Sequence, residues 1–294
     1  MKFNFKVAAL SVVSLAFKYC HGQDLLNQVG NNEPQKEYVT GTFKSSRVVN
    51  NHSVEFIGKG VLDVRILHRF GLLNSGFSNL YGLDQATMRL GFDYGLSKNL
   101  TVGIGRSTFE KEWDGLVKWR IVQQSRGTSA FPVSIVWVSG LTINTIPTNG
   151  ADPKISVSDR SGYYHELILG RKFNSIFSLQ LNSKLVHRNL VHLEGEKNDV
   201  YATGVGARLK LSRRIALVAD YDYVVSGLVR NQHANPLALG FDIETGGHVF
   251  QLHFSNTEGL NERAFITQTS NKWTKGDINF GFNLSRVFNV RRKH

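Results

Sequence analysis

The segment from Ile278 to Phe288, with the sequence INFGFNLSRVF, alternates between apolar and polar or small side chains. Ile278, Phe280, Phe282 and Leu284 fall on one side, and the asparagine, glycine and serine residues between them fall on the other. Successive side chains of a β-strand point to opposite faces, so the segment predicts a strand with one oily face and one polar face. Such a strand suits the wall of a barrel that contacts lipid on its outside.

The same alternation recurs along the chain. It is clear in 214–224 and 249–255, and weakest in 131–143, where four consecutive residues from Ile135 to Val138 are all apolar. The predicted strands start near Gly60, Gln85, Asn99, Gly115, Phe131, Ser161, Ile176, Val200, Arg214, Leu237, His248 and Asp277. Aromatic residues that can form girdles near the strand ends are Phe70, Tyr94, Trp113, Trp119, Tyr163, Tyr221, Tyr223 and Phe288; an ordinary β core is the alternative for them.

The connections between these strands alternate between two lengths. The short ones cover 97–99, 124–130, 172–174, 212–213 and 246–247, and the long ones cover 71–84, 108–114, 146–160, 188–199, 226–236 and 257–276. An outer-membrane barrel has tight turns on its periplasmic side and longer loops outside. The sequence therefore predicts an all-β, antiparallel up-and-down transmembrane β-barrel of about twelve strands, with both chain ends in the periplasm.

The chain divides into four predicted parts. Lys2 and Lys6 precede the apolar stretch 7–17, which predicts a signal peptide over residues 1–22 with cleavage after Gly22. That stretch is too short to span a bilayer as a helix. Cys20, the chain's only cysteine, follows it within the predicted signal. Residues 23–59 then form a polar extension or a plug, residues 60–290 form the barrel, and residues 291–294 form a basic tail.

Charge narrows the classes of partner. The formal charge of +12 falls to +9 when Lys2, Lys6 and Lys18 leave with the predicted signal, which holds no acid. For an exported basic protein we expect outer-membrane lipid, lipopolysaccharide phosphates or a small anionic solute as partners, with no nucleic acid. No cofactor or metal is predicted, since His248 and His253 would face opposite sides of one strand and His187 could meet His192 only if a loop folds back. The oligomeric state is left open.

Several stretches resemble an uncharacterised Bacteroidota family of β-barrel proteins built on a domain of unknown function. They are TFKSSRVV at 42–49, GVLDVR at 60–65 with HRFG at 68–71, GLDQA at 82–86, VGIGRS at 102–107 and DIETGGHVFQLH at 242–253. The likeness covers nearly the whole chain after the predicted signal. It implies an exported outer-membrane barrel and brings no reaction, substrate or catalytic residue with it.

The polar face of the predicted strands carries many charges. Face assignment places these candidate pore-lining residues inside: Arg65, Arg69, Arg89, Asp93, Lys118, Arg120, Lys184, Arg208, Lys210, Asp220 and Asp222, together with Asp63 and Glu166. Eight cations against five acids leave a net interior charge of +3, and buried charges must be paired or wet. A register error of one residue would invert any strand that is misread.

Three functions are compatible with this interior. A narrow, mildly anion-preferring solute channel is the first, because rings of Arg and Lys favour anions and a twelve-stranded barrel lies between a packed and an open one. A closed barrel with a structural or partner-binding role is the second, with 146–160 as the partner-binding loop. An outer-membrane enzyme is the weakest, since no Gly-x-Ser-x-Gly motif is present.

Overall fold

The computed structural model describes residues 35–146, 155–191, 193–245 and 248–290. Twelve strands form a closed barrel, and two short strands form a separate sheet beside it. In chain order the strands are β1 Glu37–Tyr38, β2 Val61–Leu72, β3 Ala86–Ser97, β4 Leu100–Ser107, β5 Trp113–Val122, β6 Ser125–Arg126, β7 Ser134–Ile143, β8 Ser161–Lys172, β9 Phe177–Arg188, β10 Asp199–Lys210, β11 Ile215–Ser226, β12 Leu237–Thr245, β13 His248–Ser255 and β14 Asn279–Asn289. Among the described residues no helix is long and apolar enough to cross a bilayer.

Each barrel strand pairs antiparallel with the barrel strands that precede and follow it in the chain. Strands β1 and β6 are not part of the barrel and pair only with each other. The barrel closes where β14 pairs with β2, in a register that sets Asn289 opposite Val61 and Ser285 opposite Arg65. The predicted fold of twelve antiparallel strands is therefore confirmed. Val61 and Asn289 lie at the end of the barrel that carries the short connections; we call this the turn end, and the opposite one the loop end.

Strand boundaries differ from the sequence-based ones by up to three residues. Strand β7 begins at Ser134 rather than near Phe131, because the Phe131 carbonyl accepts a hydrogen bond from the Ser125 amide (2.9 Å) and Ser125 pairs with Tyr38. Strand β5 begins two residues earlier than Gly115. Several predicted parts lie outside the described residues: the signal at 1–22, the tail at 291–294, the Gly-Gly turn at 246–247, and residues 147–154 of the predicted loop 146–160.

The two faces of the wall separate as the alternation predicts. In β14, Asn279, Gly281 and Asn283 are buried inside, while the alternate positions are partly exposed on the outside. Of the predicted girdle residues, Tyr94, Trp119 and Phe288 lie outward near the turn end, and Phe70, Trp113, Tyr163, Tyr221 and Tyr223 lie outward near the loop end. The outside of the barrel is thus an oily band with aromatic residues towards both ends.

Two parts of the chain outside the wall fill the lumen. The inner segment, residues 42–57, enters from the turn end just before β2; the inner loop, residues 256–271, enters from the loop end between β13 and β14 and contains the helix α1, Glu262–Thr267. Their apolar side chains pack against the wall in one buried cluster: Phe43, Val48, Val49, Val54, Phe265 and Ile266 against Val136, Val138, Tyr164, Ile168, Val186, Val200, Ala202, Val218 and Ala238. The apolar wall residues come from β7 to β12, so β13, β14 and β2 to β5 form the more polar side of the lumen.

Candidate functional site

The deepest part of the inner segment is a tight turn between Arg47 and His52. The Val48 amide donates to the Asn51 carbonyl (2.8 Å), and Arg47 and His52 form an antiparallel bridge. A carboxylate on the wall holds the tip of this turn: Asp220 Oδ2 accepts hydrogen bonds from the amides of Val49 (3.0 Å), Asn50 (2.7 Å) and Asn51 (3.0 Å). These bonds satisfy backbone groups that would otherwise be buried without partners.

Further wall side chains bind the same turn. The contacts run from Gln251 Nε2 to the Val48 carbonyl (2.5 Å), Asn283 Nδ2 to the Val49 carbonyl (3.2 Å), Arg69 Nη2 to Asn50 Oδ1 (2.9 Å), Lys184 Nζ to Asn51 Oδ1 (2.5 Å) and Gln180 Nε2 to the His52 carbonyl (2.7 Å). Strands β2, β9, β11, β13 and β14 all contribute, so the turn is held from several sides of the lumen.

Glycine on the inward face of the wall makes room for the inner segment. A Cβ atom built on Gly170 of β8 would lie 2.5 Å from Val54 Cγ1, closer than real side chains approach. Near the turn end, a Cβ on Gly95 would collide with the Gly58 carbonyl. The Val54 side chain at Gly170 and the Gly58 backbone at Gly95 thus lie too close to the wall for any larger residue there.

The inner loop is anchored mainly by charged side chains. Asn261 caps α1 by accepting from the Ala264 amide (2.9 Å), and its Nδ2 donates to Glu112 Oε2 (2.6 Å). Arg263 donates from Nε to Glu112 (2.6 Å) and from Nη2 to Glu110 (2.5 Å). Both acids belong to the connection between β4 and β5, so the inner loop is tied to the rim of the loop end.

The inner segment and the inner loop, together called the two fillers, meet at a buried charged cluster. Arg47 Nη1 lies 2.8 Å from Glu262 Oε1 of α1, and His52 Nε2 lies 3.1 Å from the same oxygen. Burial and the neighbouring Arg47 lower the pKa of His52 well below its ordinary value, so this imidazole is neutral at pH 7. Glu166 of β8 lies 3.8 Å from Lys184 Nζ, and Lys184 also pairs with Asp222.

The eleven candidate pore-lining residues all lie on inward positions of their strands. Eight are buried: Arg65, Arg69, Arg89, Asp93, Lys118, Lys184, Asp220 and Asp222. The other three, Arg120, Arg208 and Lys210, are half-buried near the turn end. The inner segment contacts five of them, Arg65, Arg69, Lys118, Lys184 and Asp220. Ion pairs within the wall join Arg65 with Asp63, Arg89 with Asp114 and Lys184 with Asp222.

The interior charge differs from the sequence-based count. Among the described residues, the buried charged side chains comprise seven cations and nine acids, with His52 and His253 in addition. The half-buried inward residues Arg120, Arg208 and Lys210 raise the cations to ten, so the interior is less positive than the sequence-based count. The acids that sequence reasoning missed are Glu112, Asp114, Asp242 and Glu262. Asp114 and Asp242 occupy inward positions of β5 and β12, so strict alternation could have found them. Arg47 and Glu262 lie outside the wall, where strand periodicity gives no signal.

Cavities remain at both ends of the filled lumen. At the turn end, a cavity of about 390 Å³ lies between the inner segment and β2, β13 and β14, with Lys44, Glu55 and Asp63 in its lining. A much smaller cavity of about 10 Å³, lined by Arg47, Arg65 and Gln251, shares Ser45 and Ser285 with it. At the loop end a cavity of about 280 Å³ borders Arg160, Arg188 and Arg263.

The described part of the chain holds one cluster of histidine and carboxylate side chains that could bind a metal ion. His52, Glu166 and Glu262 are buried, and their nearest ligand atoms lie within 4.8 Å of one another. Of the histidines weighed in the sequence, His187 instead contacts Asp199 at the surface (2.7 Å), and His253 is buried on β13; His192 and the side chain of His248 lie outside the described residues.

Comparison with known proteins gives a family and distant folds. A family model described as a membrane-bound beta-barrel domain (DUF5777) matches residues 43–288. Solved structures of similar shape include the NanC porin (TM-score 0.48, 10% identity, 77% of this chain and 98% of that chain), the KdgM porin (0.43, 8%, 80% and 99%) and the outer-membrane protein Omp33 of Acinetobacter baumannii (0.39, 9%, 77% and 97%). No curated protein matches the chain.

Proposed function

We propose a function for a chain that belongs to the DUF5777 family of membrane-bound β-barrel domains: it is an outer-membrane barrel that is closed in the conformation described here and conducts small solutes when its inner segment moves. Residues 1–22 direct export in this proposal, and the outward band contacts outer-membrane lipid and lipopolysaccharide. The protein acts as a gated passage and not as an enzyme.

The observation that carries this proposal is the uneven filling of the lumen. The inner segment packs tightly against the apolar wall of β7 to β12, but the 390 Å³ cavity separates it from β2, β13 and β14 at the turn end. The cavity narrows towards Arg47 and Arg65. A modest displacement of the inner segment would therefore lengthen an existing cavity rather than open a new one.

A preference for small anions follows from the narrow end of this route. Arg65 Nη2 binds Ser46 Oγ (2.7 Å) and Asp63, while its Nε and Nη1 are buried without a hydrogen-bond partner in the described part of the chain. Guanidinium donors with free N–H groups favour anions at a constriction. Acids outnumber cations among the fully buried side chains of the described residues, so the preference rests on the constriction itself.

A reversible cross-link tests the gate. A Cβ built on Gly170 would lie 3.2 Å from the Val54 Cβ, near the roughly 3.5–4.5 Å that disulfides span. We expect Val54→Cys/Gly170→Cys, made in a Cys20→Ser background, to show no channel openings in planar bilayers when oxidised and to regain them with reductant. Each single-cysteine variant serves as a control that should not respond to oxidation.

A second variant tests selectivity. Because Arg65→Gln alone would leave Asp63 buried and unpaired, the matched change is Asp63→Asn/Arg65→Gln. It should remove the anion shift of the reversal potential across a salt gradient. The cross-link variant Val54→Cys/Gly170→Cys also tests conduction itself. If its reduced form never conducts although heat-modifiable gel mobility shows a folded barrel, the channel is ruled out and a closed barrel with a structural or partner-binding role is supported.

A further inference from the structure

We propose that His52, Glu166 and Glu262 bind one divalent transition-metal ion of the class that includes Zn²⁺ and Mn²⁺. The three residues come from the inner segment, the wall strand β8 and the helix α1 of the inner loop. All are buried, and their nearest ligand atoms lie within 4.8 Å of one another. This proposal does not depend on conduction through the barrel.

The donor set decides the class of ion. A neutral imidazole with two carboxylates is a common ligand set for zinc and manganese, whereas calcium prefers oxygen ligands alone. The ligands come from three separate parts of the fold, as is usual where a metal ties distant segments together.

Glu166 supplies an observation beyond the cluster itself. Its side chain is fully buried, and its Oε2 atom has no hydrogen-bond partner among the described residues. The other oxygen, Oε1, accepts from Asn182 Nδ2 (2.9 Å) and faces Lys184 Nζ (3.8 Å). A buried carboxylate oxygen left unpaired is costly, and a metal ion would satisfy it.

Charge balance points the same way. Within the cluster the three acids Glu166, Glu262 and Asp222 face two cations, Arg47 and Lys184. Unpaired charge away from water is strongly unfavourable. A divalent ion would add positive charge at the place where the acids of this cluster outnumber its cations.

Neighbouring contacts would hold the ligands in place. Arg47 orients the Glu262 carboxylate, Asn182 orients that of Glu166, and Gln180 Nε2 binds the His52 carbonyl (2.7 Å). Such supporting contacts strengthen metal sites. Because the ligands span wall, inner segment and inner loop, the bound ion would fasten both fillers to β8.

Direct metal binding tests the site. The untagged full-length chain, folded in detergent and dialysed against a chelator, is titrated with Zn²⁺ or Mn²⁺ in equilibrium dialysis, with metal measured by mass spectrometry. We expect one ion per chain and a higher thermal unfolding midpoint with metal. Affinity should fall at least roughly tenfold in Glu166→Gln and in His52→Gln.

The matched control is Asp242→Asn, which removes another buried carboxylate, one that accepts from Gln251 Nε2 (2.6 Å) and lies outside the metal cluster. It should retain full binding. Using both His52→Gln and Glu166→Gln keeps the test valid if one fails to fold. Metal well below one equivalent in the wild-type chain, or unchanged binding in a folded ligand variant, overturns the proposal; the second result would assign the metal to surface groups such as His187 and Asp199.

Discussion

The inner segment and the inner loop fill the same lumen, yet the wall holds them through different atoms. The inner segment is bound largely through its backbone, whose amides and carbonyls meet Asp220, Gln180 and Gln251. The inner loop is bound largely through charged side chains, above all Arg263 with its two glutamates. These hydrogen bonds use the side chains of the wall but only the backbone of the inner segment. Substitutions in the wall should therefore release the inner segment more readily than substitutions in the inner segment.

The largest effect is expected from filling the space at Gly170. A leucine there cannot coexist with Val54, because even a Cβ would lie 2.5 Å from Val54 Cγ1. Overpacking of this kind costs about 3 kcal/mol. We expect Gly170→Leu to expel the inner segment and give long-lived openings in planar bilayers. Gly115→Leu, on the outward face with its nearest atom 3.8 Å away, is the control and should behave as wild type.

The next effect concerns the tip of the turn. Asp220→Asn keeps the size of the side chain but replaces a charged acceptor of three amide hydrogen bonds. We expect the docked inner segment to lose about 2 kcal/mol. Amide hydrogen exchange at Val49, Asn50 and Asn51 should speed up while exchange in the wall strands stays unchanged. If the three amides are as well protected from exchange in the variant as in the wild type, Asp220 does not hold the turn.

A smaller effect is expected at the inner loop. Arg263→Gln can still donate to one carboxylate, so we expect a loss of about 1.5 kcal/mol, the difference between charged and neutral hydrogen bonds. Proteolysis at the loop end should become faster, with the inner segment remaining docked. Protease cleavage of the inner segment and of the inner loop is compared between this variant and Asp220→Asn, which shows whether each is held by its own contacts. Simultaneous release of both fillers by Arg263→Gln would contradict independent anchoring.

The wall of the barrel was predictable because its signal is local. Alternation in β14 and β11 separates Phe282 from Asn283 and Tyr221 from Asp220, and a closed barrel in a membrane imposes that separation along every strand. Even the segment with the apolar run forms a strand, β7, at Ser134–Ile143. Here the inward positions Val136 and Val138 are apolar because they pack against the fillers rather than line water.

The filled lumen was not predictable in the same way. Nothing in the alternation around Arg47 or Glu262 indicates that residues 215 positions apart form an ion pair. Glycines at inward positions, such as Gly170 and Gly206, were the available signal, since a Cβ on either would meet a valine of the inner segment. The charge count made from the sequence missed Asp114 and Asp242 on the wall and Glu112 and Glu262 outside it, which is why it gave too positive an interior.

The smallest effect should come from the outermost contact of the inner segment. Lys44 Nζ lies 2.7 Å from Glu244 Oε1 at the turn end, with both side chains more than a third exposed. Exposed ion pairs contribute less than about 1 kcal/mol and are screened by salt. Lys44→Ala should therefore raise the open fraction slightly at low ionic strength and not at about 1 M salt, where the Debye length is near 3 Å. Lys59→Ala, an exposed lysine just before β2, is the control. A salt-independent rise as large as that of Asp220→Asn would mean that the segment is held at its mouth, and that the buried turn contributes little to closure.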